Sequence, residues 1–188
     1  MALDHSCQAG RHPHIDRGYD CYSTPAVAIE ALLTVESLPH HIWEPAAGRG
    51  NIVRYLRDAG HVVVASDIWH YDFALDFEAD FLAQVQAPAG TELILTNPPY
   101  RYATEFVVRA LDLCPRVILL CRLAFLESER RTHILDSGML EAVHVFKRRL
   151  PMMHREGWSG PRASSAMAFA WFVWQRNHAG PTTIDRIS

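Results

Sequence analysis

The chain has 188 residues, of which 49 % are hydrophobic and 21 % charged, a balance that excludes a disordered chain and suits one globular domain. No apolar run reaches the roughly 18 residues of a membrane-crossing helix. No apolar segment follows the polar, His-rich start (His5, His12, His14), so neither a membrane partner nor secretion is expected. Cys7, Cys21, Cys114 and Cys121 are scattered without a CxxC pair, which fits reduced thiols and a cytoplasmic location. The net charge of −3 is unevenly spread: residues 1–115 sum to −8 and residues 116–162 to +4. Bulk charge thus argues against a protein that coats nucleic acid and leaves one basic stretch that could face phosphates. Arginine supplies 17 of the 18 basic residues. That suits bidentate phosphate contacts, although GC-rich codon usage is the simpler account.

In chain order, residues 1–18 show no periodicity and read as a loose arm before a domain spanning 19–188. Thr24 is placed to cap a helix with Pro25 in its first turn, running over Ala26–Thr34. His41–Trp43 reads as a strand that feeds the turn Glu44-Pro45-Ala46-Ala47-Gly48-Arg49-Gly50. Asn51–Ala59 has helical spacing of Ile52, Val53 and Leu56 and stops at Gly60. His61–Ala65 is a β-branched strand ending at Ser66-Asp67-Ile68. Leu93–Thr96 is a strand ending at Asn97-Pro98-Pro99-Tyr100. A helix over Ala103–Leu113, a strand over Val117–Cys121 and a helix over Ser128–Asp136 follow. Ala142–Lys147 and Ala166–Gln175 are two late strands expected to pair as an antiparallel hairpin at one edge, joined by a polar loop, 148–165. Alternating strands and helices indicate a doubly wound α/β sheet, in which ligands sit beyond the carboxyl ends of the strands. The segments 44–50, 66–68 and 97–100 all follow such ends and should converge on one crevice.

The first of these turns has GxG spacing. It lacks GxGxxG and GxxxxGK[ST], which disfavours a nicotinamide dehydrogenase and a P-loop. Glu44 could accept from a ligand amine or order the loop. Asp67 could accept from ribose hydroxyls or cap a helix. In Asn97-Pro98-Pro99-Tyr100 the prolines fix φ twice and remove two donors, leaving the Asn97 and Pro98 carbonyls free to accept. With the Asn97 side-chain oxygen and the flat Tyr100 ring, they form a receptor for a planar NH₂ group. Holding its hydrogens pushes a conjugated amine toward tetrahedral geometry and exposes its lone pair. The alternative is a rigid turn with Tyr100 capping the core.

These residues together resemble the S-adenosylmethionine-dependent amino-methyltransferases, and among them small phage- or prophage-type adenine-N6 DNA methyltransferases. Asn97-Pro98-Pro99-Tyr100 is similar to their [DNS]PP[YFW] motif, and the Glu44–Gly50 turn to their ExxxGxG loop. Asp80-Phe81 is similar to the acid–aromatic pair that holds the cofactor adenine, with Asp76-Phe77 as a competing match. Tyr22-Ser23-Thr24-Pro25 resembles a (Y/F)xTP element that touches the methionine part. The resemblance implies a Rossmann-like methyltransferase fold, with a mostly parallel sheet and an antiparallel C-terminal hairpin, and S-adenosyl-L-methionine as cofactor without a metal. It assigns catalysis to Asn97, Pro98, Pro99 and Tyr100, and cofactor binding to Tyr22, Thr24, Glu44, Ala46, Gly48, Gly50, Asp67, Ile68, Asp80 and Phe81. The implied acceptor is the N6 amine of adenine in DNA. RNA adenine or protein glutamine is the alternative, and a non-catalytic accessory subunit a second one.

The order of motifs is that of the gamma arrangement, and the match covers about residues 19–121. Unlike many such enzymes, the chain leaves no length for a separate target-recognition domain. A nucleic-acid partner would therefore meet the basic stretch, where Arg122, Arg149, His154, Arg155 and Trp158 are the candidates and a solvated loop with Met152 and Trp158 packed on the sheet is the alternative. Leu123 and Phe125 could wall an acceptor pocket or belong to the core. Trp171 and Trp174 read as core. None of the eleven histidines has metal-ligand spacing.

Overall fold

A computed structural model describes residues 23–152 and 167–188. Its frame is one eight-stranded sheet in the order β3-β2-β1-β4-β5-β7-β6-β8. The strands are β1 (His41–Glu44), β2 (Val62–Asp67), β3 (Phe77–Glu78), β4 (Leu93–Thr96), β5 (Arg116–Arg122), β6 (Leu140–Phe146), β7 (Phe169–Gln175) and β8 (Thr183–Ile187). β1, β2, β3, β4 and β5 pair in parallel, β7 runs antiparallel to both β5 and β6, and β8 pairs in parallel with β6. The register sets Glu44 beside Ala65 and Ile42 beside Leu93, so β1, β2 and β4 end close together.

The helices are α1 (Ala26–Leu33), α2 (Asn51–Asp58), α3 (Ala103–Leu113) and the single turn α4 (Thr132–Leu135). α1 buries Ala28, Ile29, Ala31 and Leu32, and α2 buries Ile52, Val53 and Leu56 on the same side of the sheet. α3 covers the other side with Phe106, Val107, Ala110 and Leu111. β7 is buried on both faces. Phe169, Trp171 and Val173 pack toward α1 and α2, and Ala170, Phe172 and Trp174 toward α3. The Trp171 indole N–H donates to the Ala28 carbonyl and that of Trp174 to the Ile134 carbonyl, so both tryptophans are satisfied core residues.

Three expectations change, and one open alternative is resolved. The antiparallel hairpin of β6 and β7 forms, but β7 inserts between β5 and β6 rather than lying at an edge, and β8 takes the edge. Residues 128–136 form a short 3₁₀ turn and α4 rather than one long helix, because only Ile134 of the segment is buried to hold it. Thr24 does not cap α1: Pro25 is the N-cap and no side chain bonds to the first turn. Phe125 is core. Its ring packs against Phe172 at 5.4 Å and Trp174 at 6.3 Å, and Leu123 packs against the same cluster. The loose arm 1–18 lies outside the described residues, as does most of the loop 148–165. Among the described residues no helix is long and apolar enough to cross a membrane, and no group of His, Cys, Asp or Glu could hold a metal ion.

Candidate active site

The turns after β1, β2 and β4 line one cavity of about 550 Å³, within the size range of small-molecule and cofactor sites. Glu44, Ala46, Gly48, Asp67, Ile68, Asp80, Phe81, Asn97 and Pro99 all line it, with Thr24 from the segment before α1.

The turn after β1 is shaped by glycine. Gly48 and Gly50 have φ of +53° and +74°, in the left-handed region that costs an L side chain most. Gly50 stands before α2, and a Cβ there would lie 2.3 Å from the Phe73 ring. Gly50 thus shapes the turn from behind rather than lining the cavity.

Asp67 fastens this turn to the end of β2. Its Oδ2 accepts from the Gly48 N–H at 2.8 Å and its Oδ1 from the Trp69 N–H at 3.0 Å. No helix follows, so this is not a helix cap. Burial raises its pKa, against the lowering effect of these backbone bonds. The Ile68 N–H also bonds this carboxylate, which leaves about one of its four lone-pair sites for a ligand hydroxyl.

Glu44 is 1 % exposed. Its Oε1 accepts from the Thr96 hydroxyl at 2.7 Å, and the carboxyl also takes the Asn97 backbone N–H. Its Oε2 is buried and has no hydrogen-bond partner among the described residues. Burial pushes the carboxyl well above its usual range, and the Asp67 charge adds to the rise while the Thr96 bond opposes it. Glu44 therefore does two things: it ties the first turn to the start of the Asn97 turn, and it keeps one acceptor for a donor in the cavity.

The two acid–aromatic pairs differ in position. Asp80 and Phe81 line the cavity, with Asp80 Oδ1 accepting from Leu82 N–H at 2.9 Å and Phe81 packed on Trp43 and Phe106. Asp76 is spent elsewhere, bonding Ala65 N–H at 2.7 Å and Arg57 at 3.0 Å.

The Asn97–Tyr100 segment has two sides. Asn97 and Pro99 face the cavity. Pro98 is buried and does not line it. Tyr100 turns away, with its ring 5.6 Å from that of Phe169 and the Arg122 guanidinium 4.9 Å from its centroid. Arg149 is exposed beyond β6, whereas Met152, for which a packed position was the alternative, is core at 2 % exposure. Tyr22, His154, Arg155 and Trp158 lie outside the described residues.

Several lining residues carried no sequence signal of their own. Trp69 and Tyr71 follow Asp67 in a loop without periodicity. Arg49, Arg101 and Tyr102 sit beside recognised motifs, and Phe106 reads as an ordinary apolar position of α3. The only pointer to Phe106 is its helical spacing from Tyr102, which brings both to the same wall.

No family model and no curated protein matches the sequence. Solved structures do match the fold. One is a protein assigned as an RNA methyltransferase of Pyrococcus horikoshii, at TM-score 0.60 and 12 % identity over 82 % of this chain and 86 % of that one. Another is a dimethyladenosine transferase from Plasmodium falciparum, at TM-score 0.56 and 14 % identity over 81 % of this chain and 62 % of that one. A third is the modification subunit of a type I restriction enzyme from Vibrio vulnificus, at TM-score 0.53 and 13 % identity over 86 % of this chain but 45 % of that one. The fold is the Rossmann-like methyltransferase fold. Within it, the cavity of this chain lies at the carboxyl ends of β1, β2 and β4, where the order of parallel strands turns back on itself.

Proposed function

We propose that this chain is an S-adenosylmethionine-dependent methyltransferase acting on the exocyclic N6 amine of adenine in DNA. The observation that carries the reading is the meeting of Asn97 and Pro99 with Glu44, Gly48, Asp67 and Asp80 on one cavity. A planar amine and a nucleoside-type cofactor would then share one space.

The residues suit such a cofactor. The buried, unpartnered Oε2 of Glu44 is an acceptor for an ammonium or hydroxyl. Asp67 would hold a ribose hydroxyl, and Asp80 with Phe81 would offer an acceptor and an aromatic ring to an adenine. The cluster of Glu44, Asp67 and Asp80 favours a ligand that carries positive charge. Bound there, the cofactor supplies an electrophilic methyl on a sulfonium.

The chain's own contribution is positioning. Asn97, which faces the cavity, would accept from the amine and aim the nitrogen lone pair along the line of displacement. Pro98 and Pro99 remove the backbone freedom that would blur that aim. Glu44 anchors the Asn97 backbone and so sets the distance between amine and cofactor. The N–C bond would form as the sulfonium S–C bond breaks, with S-adenosyl-L-homocysteine as the leaving product, and the amine proton would then pass to solvent, so no strong base is required.

RNA adenine is the second reading, favoured by the RNA methyltransferase and dimethyladenosine transferase among the matching structures. Transfer of tritiated methyl to DNA, RNA and protein acceptors tests both. Label in DNA supports the first reading, label in RNA alone replaces it with the second, and label in protein alone refutes both. Asn97→Ala should abolish transfer while leaving cofactor affinity within about threefold.

A further inference from the structure

The described cations differ in how they are held: Arg131 donates to Thr104 and the Phe125 carbonyl and Arg54 to Asn51, while Arg49 and Arg101 line the cavity with no carboxylate within ion-pair distance among the described residues. Toward the amino ends of the parallel strands the cations are tied to protein groups. Arg57 pairs with Asp76, Arg109 with Asp112 and Arg116 with Glu36, while Arg176 donates to the Leu111 and Asp112 carbonyls. At the carboxyl ends of β5 and β6 four more cations lack such a pair. Arg122, Lys147, Arg148 and Arg149 have no carboxylate within ion-pair distance among the described residues, although Glu127 and Glu129 follow β5 directly. Lys147, Arg148 and Arg149 are exposed. Arg122 is half-buried, its Nε has no hydrogen-bond partner among the described residues, and its guanidinium lies on the Tyr100 ring.

A half-buried, unpaired guanidinium is an expensive group to keep, and its natural partner is an anion that can take both edges of the fork. Its location adds the direction. Asn97 and Pro99 face the cofactor cavity, whereas Tyr100 and Arg122 stand on the opposite side of the same turn, toward β5, β7 and β6. We infer that Arg122 holds a backbone phosphate of the acceptor strand, which approaches the Asn97 turn from the β5–β6 side along Arg122 and Lys147–Arg149, away from the cofactor cavity. This rests on the nucleic-acid reading given above. In the free protein Arg122 lies on Tyr100; on binding, its guanidinium turns to the phosphate.

The test is fluorescence anisotropy of labelled single-stranded DNA and RNA 16-mers, titrated with the full chain across a salt series. Arg122→Gln should lower the slope of log affinity against log salt by about 0.7, the value of one phosphate contact on a single strand, and the Arg122→Gln/Arg148→Gln/Arg149→Gln variant by about 2. Arg122→Lys keeps the charge and should keep the slope. Arg109→Gln, on α3 where the side chain pairs with Asp112, should change nothing. Cofactor affinity and Tm report that each variant is folded. A folded Arg122→Gln protein with the wild-type slope overturns the inference and leaves the methyltransferase reading standing. Wild-type protein that binds neither oligonucleotide refutes the nucleic-acid reading and the phosphate path with it.

Discussion

Gly50→Ala is a perturbation whose two costs can be separated. The first is conformational: φ of +74° places an L residue in the left-handed region, at about 1–2 kcal/mol. The second is steric. The new Cβ would stand 2.3 Å from Cδ2 and Cε2 of Phe73 and 2.6 Å from its Cγ, so the ring root must move as well as its tip. Forced movement of packed side chains costs about 1–3 kcal/mol more. The sum is about 2–5 kcal/mol, or a Tm lowered by roughly 4–20 °C for a domain of this size. Gly60→Ala is the control. Its φ of +93° carries the same kind of strain, but nothing lies within 4 Å of its Cβ, so only the conformational part should appear. Phe73→Ala supplies the second control, since Gly50→Ala made in that background should cost no more than Gly60→Ala. Thermal and denaturant unfolding of the four proteins and the double variant closes the cycle. Equal cost of Gly50→Ala with and without the Phe73 ring would refute the steric argument.

Other outcomes follow from the buried acids. Glu44 has its pKa raised above the unfolded value near 4.5, so its ionisation destabilises the empty protein progressively as pH rises from that value. Glu44→Gln, which can still accept from Thr96, should raise Tm at neutral pH and flatten the pH dependence; a lower Tm at pH 7 contradicts this. A cationic cofactor prefers the ionised carboxyl, so its affinity should grow as pH rises through the Glu44 transition, and calorimetry of the Glu44→Gln variant should show that slope gone. Glu36 behaves oppositely. Burial raises its pKa, but the bonds from His144 at 2.7 Å and from Arg116 outweigh it, so its value is lowered and its contribution is lost as pH falls below the ordinary carboxylate range. Glu36→Ala leaves His144 and Arg116 without their shared partner and should cost about 1–3 kcal/mol in denaturant unfolding, because the pair is only part-buried; a loss under about 0.5 kcal/mol contradicts the pairing.

What the sequence made legible tracks how much each element buries. β1, β2, β4, β5 and β7 read as strands because each holds a short run with buried apolar residues: Ile42 and Trp43, Val63 and Ala65, Leu93–Leu95, Val117–Cys121 and Phe169–Trp174. α1, α2 and α3 read as helices because their buried positions recur at helical spacing. β8 was invisible: four of its five residues are exposed and only Ile187 is buried, so backbone pairing with β6 makes it a strand and no side-chain pattern records that. β3 is two residues held by the end of β2. The site was legible where backbone chemistry is unusual, at Gly48, Gly50 and Asn97-Pro98-Pro99. It was opaque where the role depends on which way a ring points. Tyr100 and Tyr102 are two residues apart, yet Tyr102 lines the cavity and Tyr100 packs on Phe169 and Arg122.

The place of β7 has a consequence for how the protein is made. β1 to β5, which carry every strand end around the cavity, leave the ribosome first. The free edge of β5 must then wait for a strand that arrives only after β6 and the long connection beyond it. Until then an apolar strand edge is open to the wrong neighbour, the situation in which nascent α/β chains aggregate. A chain cut before β7 would thus have most of a binding cavity and no finished sheet, whereas loss of β8 would remove only an exposed border.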